Sequence, residues 1–153
     1  MLTITRCSMK KNILFLCTGN SCRSQMAEGW TRHLLGDLFE PFSAGTEVHG
    51  VNPNAVQVMA EAGVDITGHR SKVVDELVNV PFDYIVTVCD RAREACPLFP
   101  GAGKKIHRNF DDPAAYQNRN GGEENEEEVL VQFRRIRDEI REFVQRFPDS
   151  MDR

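Results

Sequence analysis

Cys17 and Arg23 stand six positions apart in the stretch Asn12-Ile13-Leu14-Phe15-Leu16-Cys17-Thr18-Gly19-Asn20-Ser21-Cys22-Arg23-Ser24. A thiolate is a strong nucleophile, and a guanidinium is a planar two-pronged donor suited to an oxyanion. The apolar run before the cysteine reads as a buried strand, and an amphipathic pattern opens at the arginine. A helix start offers unpaired N–H groups and a positive dipole end, and consecutive loop amides form an anion nest. The stretch therefore suits a tetrahedral oxyanion held against a thiol, in a field expected to keep Cys17 largely as thiolate at neutral pH. Cys-x5-Arg alone recurs by chance. The strand before it, the Gly and Ser inside it and the helix after it give it weight. The competing reading is a buried strand-end cysteine without chemistry.

Five cysteines (7, 17, 22, 89 and 96) are many for a reducing compartment, and an odd count does not suit a static disulfide framework. Cys17-x4-Cys22 and Cys89-x6-Cys96 do not have the spacing of zinc-binding pairs. Redox chemistry remains the natural use. At 153 residues, 41% hydrophobic and 27% charged, the chain has the composition of a single soluble domain. A net charge of -4 argues against nucleic-acid or anionic-membrane binding. No apolar stretch is long enough to span a membrane, and residues 1–11 lack the apolar core of a signal peptide. The expected location is the cytoplasm. Residues 1–11 read as an N-terminal extension containing Cys7, and residues 12–153 as the domain.

The positioning elements follow from periodicity. Met26, Ala27, Trp30, Leu34 and Leu35 share a helical face. Phe39 to Ala44 reads as a second strand closed by Gly45. Asn52-Pro53 signals a helix start, cap then first-turn proline, and Gly63 a stop. Ser71 to Val78 reads as a short helical segment. Asp83 to Cys89 is nearly continuous, β-branched and apolar, as expected of a central parallel strand. Like the first strand it ends on a cysteine, and sites in open parallel sheets form beyond the strands' carboxyl ends. Lys104 to Phe110 reads as a fourth strand leading into Asp111-Asp112-Pro113. Gln117 to Glu128 reads as a solvated loop entering the last helix, whose stripe of Val129, Phe133, Ile136, Ile140, Phe143 and Phe147 faces the core. The expected fold is α/β, a single domain with a four-stranded, parallel, doubly wound sheet flanked by helices.

The run from Cys17 to Trp30, with Ser43-Ala44-Gly45, His49-Gly50-Val51-Asn52-Pro53 and Phe110-Asp111-Asp112-Pro113, resembles the low-molecular-weight tyrosine phosphatase superfamily. Within it the chain is most similar to the thioredoxin-coupled arsenate reductases, over about Asn12 to Phe147. The resemblance implies a substrate-binding loop of Thr18, Gly19, Asn20, Ser21, Cys22 and Arg23 around arsenate, with phosphate or sulfate as analogues. It implies that Cys17 attacks arsenic, that Ser24 donates a hydrogen bond to its thiolate, and that Asp112 is the general acid. Cys89 then attacks Cys17, and Cys96 attacks Cys89. The redox disulfide Cys89–Cys96 passes to thioredoxin, with no bound cofactor. Were Asp90 to Ala95 helical, Cys89 and Cys96 would lie about 10 Å apart, beyond the roughly 7 Å that a disulfide allows. The segment is therefore expected to loop out on oxidation.

Some relatives hold potassium with residues matching Asn20, Glu28 and Ser43 plus an acidic group. Lys72 falls at the acidic position here, so its ammonium is expected to substitute for the cation, and no metal is expected. Arg108-Asn109 stand where close relatives often carry Trp-Gly. Three functional readings remain open: a monomeric arsenate reductase with residual phosphatase activity, a tyrosine phosphatase working through a Cys17 phosphocysteine, and a non-catalytic oxyanion-binding redox sensor. Ala114, where the phosphatases usually carry tyrosine, and Cys96 favour the first. Asp112 argues against the last, since a pure binder needs no acid.

Overall fold

The structure is a computed structural model that describes residues 10–93, 103–116 and 126–147. Cys7, Cys96 and the loop from 117 to 125 lie outside the described residues.

Four strands form one sheet: β1 (Lys11–Cys17), β2 (Phe39–Gly45), β3 (Tyr84–Thr87) and β4 (Lys104–His107), in the order β2-β1-β3-β4. All three pairings are parallel, with Cys17 opposite Gly45 and Leu16 opposite Thr87. The helices are α1 (Arg23–Leu35), α2 (Pro53–Glu61), the single turn α3 (Asp90–Arg93) and α4 (Glu126–Gln145). The chain leaves β1 toward β2 on one side and later returns to β3 on the other. The strand order thus reverses between β1 and β3, the point at which parallel sheets place their binding crevices.

The elements match their sequence signals where packing and propensity agree. Ile13, Leu14, Phe15 and Leu16 are fully buried in β1, as expected of a strand covered on both faces. Asn52 caps α2 by accepting the Asn54 N–H at 2.8 Å, with Pro53 in the first turn. On α4, Phe133, Ile136 and Ile140 are fully buried, and Phe147 just beyond it stacks on Phe15 with ring centroids 5.9 Å apart. Helices α1, α2 and α4 pack on one another, and Trp30 Nε1 donates to the Arg137 carbonyl.

Three boundaries differ. Only Val74–Leu77 of the expected 71–78 helix is helical, as one 3-10 turn. The preceding Lys72 and Val73 run alongside β2 instead: the Gly45 amide donates to the Lys72 carbonyl and Gly45 bridges Val73. That pairing with the sheet edge overrides local helical preference. β3 ends at Thr87, two residues before Cys89, and β4 at His107, because Arg108 and Phe110 turn inward to donate their amides to Thr87 and Val88.

Candidate active site

Cys17, the last residue of β1, and Cys89, two residues past β3, lie on the same edge of the sheet at the reversal point. Both are buried thiols, 3% and 4% exposed, and the Cys89 thiol hydrogen-bonds with Cys17. The Thr18 hydroxyl lies 3.4 Å from the Cys89 sulfur. A cleft of about 250 Å³ opens over Cys17, lined by Cys17, Thr18, Gly19, Ser21, Cys22 and Arg23 together with His49, Arg91, Asp112 and Ala114.

The loop after Cys17 is held from outside. The carbonyls of Cys17, Thr18, Gly19 and Ser21 accept the amides of Thr46, Glu47, His49 and Asn52. The Ser71 hydroxyl sits 2.9 Å from the Gly19 and Asn20 carbonyls. With the carbonyls tied outward, the amides of Gly19, Ser21 and Cys22 donate to no protein acceptor among the described residues. Buried backbone donors seldom lack a partner, and a row of them suits an anion. Asn20 fixes the turn. Its φ of 50° lies in the left-handed region that asparagine tolerates. Its side chain takes the Gln25 amide and the Lys72 N–H and donates to Ser24. Two glycines are required. A Cβ on Gly19 would run into the His49 ring, and one on Gly45 would sit 2.5–2.8 Å from the Thr18 carbonyl, the Asn20 amide and the Glu47 carbonyl.

Arg23 reaches under the cleft from the first turn of α1. One terminal nitrogen donates to the Phe110 carbonyl at 3.0 Å and the other lies 3.8 Å from the Asp112 carboxylate. Its Nε is buried without a partner, an orphan that an anion in the cleft would satisfy. Asp112 also caps the 3-10 turn Pro113–Tyr116 by accepting the Ala114 amide at 3.0 Å. Asp112 thus forms the turn before Pro113 while its carboxylate also lines the cleft. Asp111 points away and pairs with Arg135.

The expectation of a Cys17 thiolate is corrected in this arrangement. Its hydrogen bond with Cys89 and then its burial hold the Cys17 thiol well above the ordinary value. Arg23 and the Thr18 amide pull the other way without prevailing. Cys22 is pushed up to about 12, chiefly by burial, and is chemically quiet. Ser24 Oγ accepts from Asn20 Nδ2 at 2.8 Å, which leaves its O–H free to donate.

The expected cation arrangement is also corrected. Glu28 and Ser43 do meet, the hydroxyl donating to the carboxylate at 2.6 Å. The cation on Glu28, however, is Arg32, one helical turn on, at 2.9 Å. Lys72 directs its ammonium at the Arg70 carbonyl, 3.2 Å away, and burial lowers its pKa more than Glu28 raises it. Asn20 faces away from this pair, toward Gln25, Ser24 and Lys72 N. The i,i+4 arginine holds Glu28 at 2.9 Å, while Lys72 acts on Glu28 through its charge alone.

His69 and Arg91 had no sequence signal of their own, and Gln25 and His49 had only their place in the family-like runs. Gln25 and His69 brace Asn20 in a relay, His69 Nδ1 lying 2.9 Å from Gln25 Oε1. His49 lies over Gly19, its Nε2 2.6 Å from Glu47. Arg91 enters the cleft from α3. A histidine or arginine in a loop carries no periodicity from which its direction can be read.

Residues 12–153 match the family described as low molecular weight phosphotyrosine protein phosphatase. An arsenate reductase of Bacillus licheniformis is 48% identical over 141 residues, covering 92% of this chain and 97% of its own. A solved arsenate reductase in its reduced state superposes with a TM-score of 0.73 at 27% identity, covering 92% of this chain and 98% of that one. Another, in a phosphate-binding state, gives 0.69 at 28% identity over 90% and 95%. A matched sequence from the first strand to the last helix and the superposed structures point one way: this chain belongs to the low molecular weight phosphotyrosine protein phosphatase family.

Proposed function

We propose that the protein is an arsenate reductase that converts arsenate to arsenite through Cys17, Cys89 and Cys96 and is regenerated by thioredoxin. The observation that carries this reading is a second buried thiol, Cys89, placed just past the strand next to that of Cys17 on the same edge of the sheet, with the Thr18 hydroxyl 3.4 Å from its sulfur. Hydrolysis of a phosphoester needs one thiol. Two-electron reduction needs a second within reach of the first, and Cys89 follows the strand paired with that of Cys17. The relative named arsenate reductase at 48% identity supports the same assignment.

The loop amides and Arg23 hold three oxygens of the substrate. The protonated Cys17 gives its proton to the anion, the sulfur attacks arsenic, and the departing oxygen leaves as water with Asp112 supplying a proton. Ser24 keeps its own O–H for the Cys17 sulfur as charge develops there. Cys89 next attacks the Cys17 sulfur. The As–S bonding pair stays on arsenic, which falls from As(V) to As(III), and arsenite departs from a Cys17–Cys89 disulfide. Cys96 attacks Cys89 and expels Cys17 as thiolate. Two thiols of thioredoxin reduce the resulting Cys89–Cys96 disulfide and complete the electron balance. Helical geometry at Asp90–Arg93 is incompatible with that disulfide if it continues to Cys96, so the segment unwinds on oxidation.

We assign this activity to a monomeric cytoplasmic domain spanning 12–153, preceded by the extension 1–11, with no resident cofactor. No described helix is long and apolar enough to cross a membrane. Phosphatase chemistry is the second reading, favoured by Asp112 beside Arg23 over the Cys17 cleft, which suffices for hydrolysis through a phosphocysteine. Arsenate-dependent NADPH oxidation with thioredoxin and thioredoxin reductase, for wild type and Cys96→Ser, separates the readings. A reductase turns over and the variant stalls after one cycle. Hydrolysis of an aryl phosphate without NADPH consumption marks a phosphatase, and neither activity marks a redox sensor.

A further inference from the structure

The proposed chemistry gives no task to Arg91, which nevertheless lines the cleft. Arg23 and Arg91 enter from different walls: Arg23 follows β1, and Arg91 is the second residue of α3, which follows β3. The other charged groups at the cleft are matched. Asp112 lies 3.8 Å from Arg23, and His49 is held by Glu47. Asp90, the acidic neighbour nearest in sequence, is taken by His107 at 2.8 Å. Arg91 is exposed and makes no hydrogen bond or ion pair among the described residues. The result is a guanidinium with no partner among the described residues, lining the same cleft as Arg23 with its orphaned Nε.

We propose that Arg91 is the second cation of the oxyanion site and selects doubly charged tetrahedral anions over singly charged ones. The inference rests on the oxyanion reading of the cleft. Its physical basis is that a charge interacts with a bound anion in proportion to the anion's charge. Removing Arg91 therefore withdraws twice the free energy from a dianion as from a monoanion of the same shape, and the ratio of dissociation constants is squared. Arg23, buried and hydrogen-bonding, supplies shape and most of the affinity. Arg91, exposed and screened, supplies discrimination by charge. Because it is rooted two residues after Cys89, the charge that recruits substrate is carried on the segment that also carries the second thiol.

The test uses the reduced full-length protein and two tetrahedral probes, sulfate as the dianion and perchlorate as the monoanion. Dissociation constants come from amide shifts of the Thr18–Arg23 loop. For Arg91→Ala, perchlorate binding should weaken about threefold and sulfate binding about tenfold. Arg91→Lys, which keeps the charge, should recover most of the sulfate loss. Sulfate binding equal to wild type in Arg91→Ala, or an equal loss for both anions, overturns the assignment. Arg23→Ala is the separating control. If it abolishes sulfate binding while Arg91→Ala leaves it untouched, only the inference about Arg91 fails. If sulfate binds Arg23→Ala as it binds wild type, the oxyanion reading of the cleft fails.

Discussion

The loop from Cys17 to Arg23 and the segment that starts at Cys89 face one cleft, but they are anchored very differently. Each carbonyl from Cys17 to Ser21 accepts a hydrogen bond from a neighbouring segment or from the buried Gln25 and Ser71 relay. Among the described residues, the start of α3 hangs on exposed side-chain contacts, the Asp90 amide to Asn109 at 3.2 Å and the Asp90 carboxylate to His107 at 2.8 Å. The difference suits the two tasks proposed for them. Anion capture and attack reward donors fixed before the substrate arrives. Thiol–disulfide exchange requires a sulfur that changes partners, and a segment with few buried contacts opens at low free-energy cost.

The largest expected effect separates the two regions chemically. Cys17→Ser removes the nucleophile shared by reduction and hydrolysis, so arsenate turnover and any aryl-phosphate hydrolysis should both fall by about 10³-fold or more. Cys89→Ser should lose arsenate turnover to the same degree while keeping whatever aryl-phosphate hydrolysis the wild type shows. Side-by-side NADPH and aryl-phosphate assays read both quantities. Sustained arsenate turnover in Cys89→Ser would remove the second thiol from the mechanism.

A second expectation is structural. Gly45→Ala forces a methyl group to within 2.5–2.8 Å of three backbone atoms of the loop and its clamp, and none of these can move without breaking the anchoring described above. Overpacking against backbone should lower stability by about 2–3 kcal/mol. Asn109→Ala removes one exposed acceptor at the start of α3 and should cost less than about 1 kcal/mol. Urea denaturation of the two variants measures the contrast. Equal losses would mean that the two regions are anchored alike.

The same contrast governs how much the sequence discloses. Periodicity placed all four strands and the three long helices, because the buried faces of β1, α1 and α4 leave few other ways to pack. The strand–loop–helix around Cys17, Gly19 and Arg23 was legible because strand end, tight turn and helix start each demand particular residue types. The protonation of Cys17 was not. It depends on a thiol 72 positions away that only the parallel pairing of β1 and β3 brings into contact. Nor was the partner of Glu28. Lys72 and Arg32 are equally cationic in sequence, and the helical path of α1 delivers Arg32 while the bridge at Gly45 turns Lys72 away. Local chemistry is written in local residues, whereas charge pairing and pKa are written in topology.

The smallest effect tests that long-range contact directly. The Cys17 thiol is raised first by its hydrogen bond with Cys89, then by burial, and lowered by Arg23. The alkylating species is the thiolate, so the rate of Cys17 carbamidomethylation should rise as pH climbs toward that elevated value. Cys89→Ala deletes the leading cause, lowers the Cys17 pKa and moves the whole profile to lower pH. A lower pKa raises the thiolate fraction at every pH below it. Peptide mass mapping isolates Cys17 from the other thiols, and Cys22, pushed up to about 12, stays unmodified at neutral pH as an internal control. An unchanged or upward-shifted profile in Cys89→Ala would mean that Cys17 is governed by burial within its own loop, and that the two regions share a cleft without sharing a proton.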